Sequence, residues 1–209
     1  MRFGPSESAP EGSPVASIKD RILAGALDLF NEEGAASASA VDIASALGIS
    51  PGHLYYHFKG KAEIVAALFD VYESELALVL EAACGEMESA NAGVETMAVH
   101  VHILMEEAHD VRFLFREAGA LTALFPGLAD RYARVFAAFE AGAAHMLACL
   151  AANGVIDANM IDGLSRTIAL GLGFKLTQLD LEGADEPAKA RIARAAAEVM
   201  APVAALARA

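Results

Sequence analysis

The sequence is poor in cysteine, and Cys84 and Cys149 are too few and too far apart to form a disulfide framework. Both lie in apolar, alanine-rich surroundings that suit a reducing compartment. They read either as small buried hydrophobes or as a redox pair. Cations are scarce as well: 15 Lys and Arg against 28 Asp and Glu give a formal charge of −13. That balance disperses a chain and opposes broad, non-specific attraction to nucleic acid or an anionic membrane. No segment alternates β-branched residues between turns, so sheet architectures are disfavoured. No nucleophile elbow, paired cysteine motif, H-E-x-x-H or recognisable carboxylate pair supports an enzyme. Gly171-Leu172-Gly173 lacks the third glycine and the preceding strand of a nucleotide loop. The apolar stretch from Ala133 to Leu150 is interrupted by Arg134, Glu140 and His145 and reads as a core helix, not a membrane span. Residues 1–16 contain Pro5, Pro10 and Pro14 without an apolar block, so neither a signal peptide nor an anchor is expected there, only a disordered tail.

What is abundant is alanine, at 47 positions, in a chain that is 56% hydrophobic. Alanine is the best helix former and lets helices approach closely, so the composition points to an all-α fold. Ser17 with Asp20, and Ser39 with Asp42, have capping-box spacing. The first opens a helix that Gly34 stops. The second opens a short helix carrying Ile43, Ala44 and Leu47 that ends at Gly48. Ser50 before Pro51 caps a third, to about His57. A fourth runs from Lys61 toward Cys84 with Gly85 as its stop. Five more are expected near Gly93–Glu107, Asp110–Leu124, Leu128–Asn153, Ala158–Leu181 and Pro187–Ala207, the last kinked or frayed at Pro202. This makes about nine helices: a smaller N-terminal helical unit over 17–60 and a larger helical unit over 61–209.

Two short helices joined by a glycine turn, from Ser39 to Phe58, have helix-turn-helix spacing. Ile49, Leu54 and Phe58 are placed to pack inward. Gly52, His53, Tyr55, Tyr56, His57 and Lys61 are left outside, a grouping suited to phosphates and base edges. The region from Ile18 to Phe69 resembles the TetR-type family of regulators. The resemblance rests on the Ile22–Phe30 apolar helix, the Gly34 turn, Val41-Asp42-Ile43-Ala44, Gly48-Ile49-Ser50, and Gly52-x-Leu54-Tyr55-x-His57-Phe58-x-x-Lys61. It implies that Pro51, Gly52 and Tyr55 face base edges of double-stranded operator DNA. Ser39, His53, Tyr56, His57 and Lys61 would then hold phosphates, aided by helix starts such as that capped by Ser50. Val41 offers little for base readout. The surface has no Arg, Asn or Gln for bidentate base contacts, so specificity is expected to lean on DNA shape. From Ser17 to Val65 the only cations are Lys19, Arg21, Lys59 and Lys61, against six acids, and weak non-specific binding follows.

In the second unit, rings and methionines in an alanine-rich frame suggest a pocket for a small, largely apolar effector. The candidate lining is Met97, Met105, Phe113, Arg116, Phe136, Phe139 and Met146, though aromatic residues at this spacing also serve as plain core. Arg112, Arg116 and Glu117 would orient a polar head or be solvated. His102, Glu106 and His109 share a helical face that suits either a transition metal or a polar surface; no metal or other cofactor is expected. His145 reads as a satisfied buried histidine. The family resemblance assigns the last two helices to a homodimer interface, where Gly171, Gly173 and Ala195–Ala197 would permit close approach. The expectation is thus a cytoplasmic, ligand-responsive regulator, usually a repressor, and not an enzyme. The alternatives are a ligand-binding dimer with lapsed DNA function and a small helical enzyme.

Overall fold

Both capping boxes form. The Asp20 N–H donates to Ser17 Oγ (3.2 Å) and the Ser17 N–H to Asp20 Oδ2 (3.1 Å); Ser39 and Asp42 repeat the exchange at 3.2 and 2.8 Å. Hydrogen bonds from the Ser39 side chain, then from its backbone, hold the Asp42 carboxyl below the ordinary aspartate range. The computed structural model describes residues 17–183 and 186–207, so the tail expected over 1–16 lies outside the described residues. Among those residues there are ten α-helices and no strand: α1 (Ile18–Glu33), α2 (Ala40–Ala46), α3 (Pro51–His57), α4 (Lys61–Met87), α5 (Val94–Asp110), α6 (Arg112–Arg116), α7 (Ala118–Leu124), α8 (Leu128–Ala152), α9 (Ile161–Leu181) and α10 (Ala188–Leu206). A 3-10 turn, Ala158–Met160, precedes α9.

Three boundaries differ from expectation, each for a physical reason. Gly85 does not end α4. It keeps helical geometry on an exposed face, and burial of Met87 holds the following turn. The helix expected over Asp110–Leu124 is two, α6 and α7, broken at Glu117. Phe113, Leu114 and Phe115 are all buried, and one side of a regular helix cannot bury three consecutive side chains. Pro202 stays inside α10, and the buried Met200 and Val203 anchor the turn around it, offsetting a cost of about 3 kcal/mol.

Helices α1–α3 pack together with α4, the longest helix, which continues into the second unit against α5 and α8. There α8 lies between α4 and α9, and α10 covers α5 and α9. Arg131 of α8 ties this unit to α4. Its guanidinium stacks 4.5 Å from the Phe69 ring centroid, donates to the Ala66 carbonyl (2.9 Å) and pairs with Asp70 (2.7 Å) and Glu73 (2.5 Å).

A second join sits at the C-terminus of α1, where the last carbonyls of a helix need outside donors. Arg116 donates to the carbonyls of Phe30 and Asn31, both at 3.1 Å. The Glu117 carboxylate accepts the N–H groups of Ala35 (3.2 Å) and Ala36 (2.7 Å). Asn31, itself buried, donates to the Asp110 carbonyl (2.8 Å) and accepts the Phe113 N–H (3.1 Å), while the Phe30 and Phe113 rings meet at 5.3 Å. Gly34 is doubly required. Its φ of +91° is left-handed, and a Cβ there would lie 2.7 Å from Glu117 Oε1. The Lys61 ammonium closes the far side of the turn by donating to the carbonyls of Ala35 (2.7 Å) and Ala36 (3.1 Å). Glu117→Ala should therefore lower stability by about 1–3 kcal/mol at unchanged helical content, read from urea unfolding followed by circular dichroism. A change within 0.5 kcal/mol, roughly that of a neutral surface substitution, would show that the clamp contributes nothing.

Candidate nucleic-acid interface

Helix α3 is short, and its start is fixed locally. Ser50 Oγ accepts the His53 N–H (3.1 Å), and Pro51 occupies the first helical position. Gly48, at φ +64°, turns the chain between α2 and α3 where a side chain would be strained. Leu54 and Phe58 are buried and Ile49 half-buried, as their spacing implies. Pro51, Gly52 and His53 stand exposed, with Tyr55 at 49% and Tyr56 at 84%; His57 is half-buried. The His57 ring meets Tyr56 edge-on at 5.0 Å and His53 at 5.4 Å, so the three rings form one outward surface. Gly52 has no internal reason to be glycine. A Cβ there would meet nothing closer than Ser50 Oγ at 4.0 Å, and its φ is not left-handed. An exposed helical glycine costs about 0.5–1 kcal/mol relative to alanine, so its use favours something outside the chain approaching closely.

Two residues expected to hold phosphates have other work inside the chain. The Ser39 hydroxyl donates to Asp42 (2.7 Å) and accepts its N–H, completing the cap of α2. Two of the three Lys61 ammonium donors go to the Ala35 and Ala36 carbonyls, which leaves one for a phosphate. Lys19 lies 5.8 Å from the Phe58 ring centroid beside this face, and Val41 is exposed at the start of α2.

The residues expected to line an effector pocket are dispersed. Met97, Met105, Phe139 and Met146 are fully buried core, and Phe136 is half-buried. Phe113 packs against α1 at the join between the units, and Arg116 is occupied by the α1 carbonyls, so neither points into a shared cavity. A cavity of about 220 Å³ lies instead between α4 and α8, lined by Leu76, Ala77, Leu80, Val135 and Ala138 with Glu73 and Arg134. Spacing gave no hint of it, because it forms where two helices separated in sequence diverge.

Other placements correct the sequence reading. His145 is exposed and 3.7 Å from Glu88; the buried histidine is His100, 3.1 Å from Glu86. His102 pairs with Glu106 at 3.6 Å. His109 belongs to a different cluster, where burial first, then Arg112 and Arg191, lower its pKa. Among the described residues, no group of three potential ligands is placed to hold a metal ion. Four of the five small residues expected at that interface face inward. Gly171 makes room for Val199 and Gly173 for Phe136, while Ala195 and Ala196 are buried. Outward lie Leu170, Phe174 and Leu181 of α9, beside Ala190, Ala193, Ala197 and Ala204 of α10. The clamp residues Asn31 and Glu117 were missed as a pair. Their partners lie about eighty positions away, and no local pattern signals such a contact.

Residues 22–68 match the family model for bacterial regulatory proteins of the tetR family, and residues 71–209 match that for a bacterial transcriptional repressor. The chain belongs to the TetR family of DNA-binding transcriptional regulators. It is 27% identical over 104 residues to the probable HTH-type transcriptional regulator YttP of Bacillus subtilis, covering 48% of this chain and 50% of that one. It is 36% identical over 58 residues to the regulator AcrR of Shigella flexneri, covering 28% and 27%. The matches thus span half or less of these two relatives. The fold is shared more widely. A TetR-family regulator from Marinobacter aquaeolei superposes with a TM-score of 0.78 at 23% identity, over 92% of both chains. The regulatory protein TetR from Rhodobacter sphaeroides gives 0.71 at 16%, over 92% of this chain and all of that one.

Core and interface residues of α3 separate by stability alone. Leu54→Ala should cost about 2–5 kcal/mol, as for other buried leucines, and Tyr56→Ala no more than about 0.5 kcal/mol, both by thermal or urea unfolding. A large loss for Tyr56→Ala would mean that this ring supports the fold and is not kept for an external contact.

Proposed function

We infer that the chain is a ligand-responsive repressor. A homodimer holds an inverted-repeat operator and is released by a small, largely apolar effector. The DNA-binding unit spans 17–60 and the sensing and dimerising unit 61–209. The observation that carries this reading is the exposed row on α3: Pro51, Gly52, His53, Tyr55 and Tyr56 face outward around a buried Leu54, with the half-buried His57 ring against them. In this reading Pro51, Gly52 and Tyr55 meet base edges, with Gly52 leaving room for the duplex. His53, Tyr56, His57, the free donor of Lys61 and the helix starts at Ser39 and Ser50 meet phosphates. With few cations at the surface, the salt dependence is shallow.

The dimer forms through the outward stripe of α9 and α10, where Leu170, Phe174 and Leu181 supply area and the alanines permit close approach. The cavity between α4 and α8 supports the apolar effector class, since its lining is almost wholly hydrocarbon. The competing reading, a dimer that has lost its DNA function, is favoured by the internal engagement of Ser39 and Lys61.

Fluorescence anisotropy with duplexes from the region upstream of the gene, against scrambled duplexes over a salt series, separates the two. The repressor reading expects tight, specific binding. Gly52→Ala should weaken it tenfold or more, equivalent to about 1.4 kcal/mol, while the fold becomes no less stable. Tyr55→Ala should lower operator affinity more than affinity for the scrambled duplex. No specific binding to any upstream duplex overturns the reading. For the dimer, Ala197→Arg should give folded monomers in sedimentation, whereas Ala196→Arg should unfold the protomer because Ala196 is buried within it. A wild type already monomeric at micromolar concentration removes the interface.

A further inference from the structure

Helices α4 and α8 run side by side in the same direction, and contacts at successive levels set their register. Arg131 reaches the Ala66 carbonyl (2.9 Å), Arg134 pairs with Glu73 (3.6 Å), Leu80 packs on Gly142, and Asn153 donates to the Ser89 carbonyl (3.3 Å). Cys84 lies between the last two levels on α4, which sets it beside the turn of α8 that runs from His145 to Cys149. The neighbouring contact agrees, since His145 is 3.7 Å from Glu88, one turn beyond Cys84 on the same side of α4. The helices are also close. A Cβ on Gly142 would stand 2.6 Å from Leu80 Cδ2, so the Leu80 side chain would have to move to admit one. Both thiols are free and partly exposed. Burial, then the nearby Cys149, then Glu88 push the Cys84 thiol up.

We propose that Cys84 and Cys149 form a reversible disulfide across the α4–α8 groove in response to a hydroperoxide. One thiolate attacks an oxygen of the peroxide and the O–O bond breaks. This gives a sulfenic acid and an alcohol, or water when the oxidant is hydrogen peroxide. The second thiol loses its proton and attacks that sulfur; the S–O bond breaks and hydroxide leaves, taking up the proton as water. The two sulfurs together lose two electrons, which the peroxide accepts, and a dithiol reductant reverses the change. Since Cys84 is held as the thiol at neutral pH, the bond forms faster as pH rises. Once formed, it pins α4 to α8 in the half of the molecule remote from α3, adding a covalent link to the packing, the His145–Glu88 pair and the Asn153 hydrogen bonds that act in the dithiol form.

The test uses the full chain and does not depend on DNA binding. Purified protein is treated with hydrogen peroxide, quenched with an alkylating agent, and measured by intact mass and non-reducing peptide mapping. The expected result is loss of the mass of two hydrogen atoms, one cross-linked peptide pair containing Cys84 and Cys149, and full reversal by dithiothreitol. Cys84→Ser and Cys149→Ser, each checked for wild-type circular dichroism, should give no internal cross-link. The proposal is overturned if wild type is alkylated at both cysteines after peroxide that oxidises a free control thiol. It is equally overturned if either sulfur proceeds to sulfinic acid without a cross-link, or if the only disulfides join separate chains.

Discussion

The orientation of the DNA-binding helices depends on how the C-terminus of α1 is completed. A helix ends with unpaired carbonyls and a partial negative charge, and here both needs are met from the other half of the chain. Arg116 supplies donors to Phe30 and Asn31, and Glu117 supplies acceptors to the N–H groups of the turn that follows. These are charge-assisted hydrogen bonds, roughly twice as strong as neutral ones, and most join a charged group to backbone. They differ from an exposed Lys–Glu pair, whose worth is about 0–1 kcal/mol. Removing either partner leaves backbone groups unsatisfied at a place where Gly34 admits no substitute geometry.

Several features follow from that constraint. The break between α6 and α7 falls at Glu117, whose carboxylate reaches the α1–α2 turn. Asn31 binds both sides of the α5–α6 junction, the Asp110 carbonyl and the Phe113 N–H, so a shift of that junction is delivered directly to α1. Helix α4 provides the other route between the units. Its first residue, Lys61, holds the same turn from the opposite side. The helix-turn-helix is therefore held at two points, one covalent through α4 and one through the clamp.

Much of the DNA-binding unit was legible in the sequence because its determinants are local. The capping serines with Asp20 and Asp42, the left-handed Gly34 and Gly48, Pro51 after Ser50, and the inward spacing of Leu54 and Phe58 all act within a few residues. Readings that needed a tertiary partner fared worse. Lys61 looks free for a phosphate in the sequence, but two of its three donors go to the Ala35 and Ala36 carbonyls of a distant turn. By resemblance Gly171, Gly173 and Ala196 belong to a dimer face, yet small residues also permit close packing inside a chain, and Val199 and Phe136 fill that space. The outward stripe on the same helices was harder to see, because exposed alanine carries no signal of its own. The aromatic and methionine cluster suits both an effector pocket and a plain core, because apolar composition does not say where helices leave a gap.

The central claim, that a clamp from α6 and α7 holds the α1–α2 turn and with it the DNA-binding helices, is tested most directly by amide hydrogen exchange at Ala35 and Ala36. Ala36 is exposed, and an unbonded amide there would exchange at the rate of a free loop. Clamped by Glu117, both amides should be protected in the wild type to a degree comparable with Phe113 N–H, and both should lose protection in Glu117→Ala while the core of α8 keeps its own. Rapid exchange at Ala35 and Ala36 in the wild type, or protection unaffected by Glu117→Ala, would contradict it.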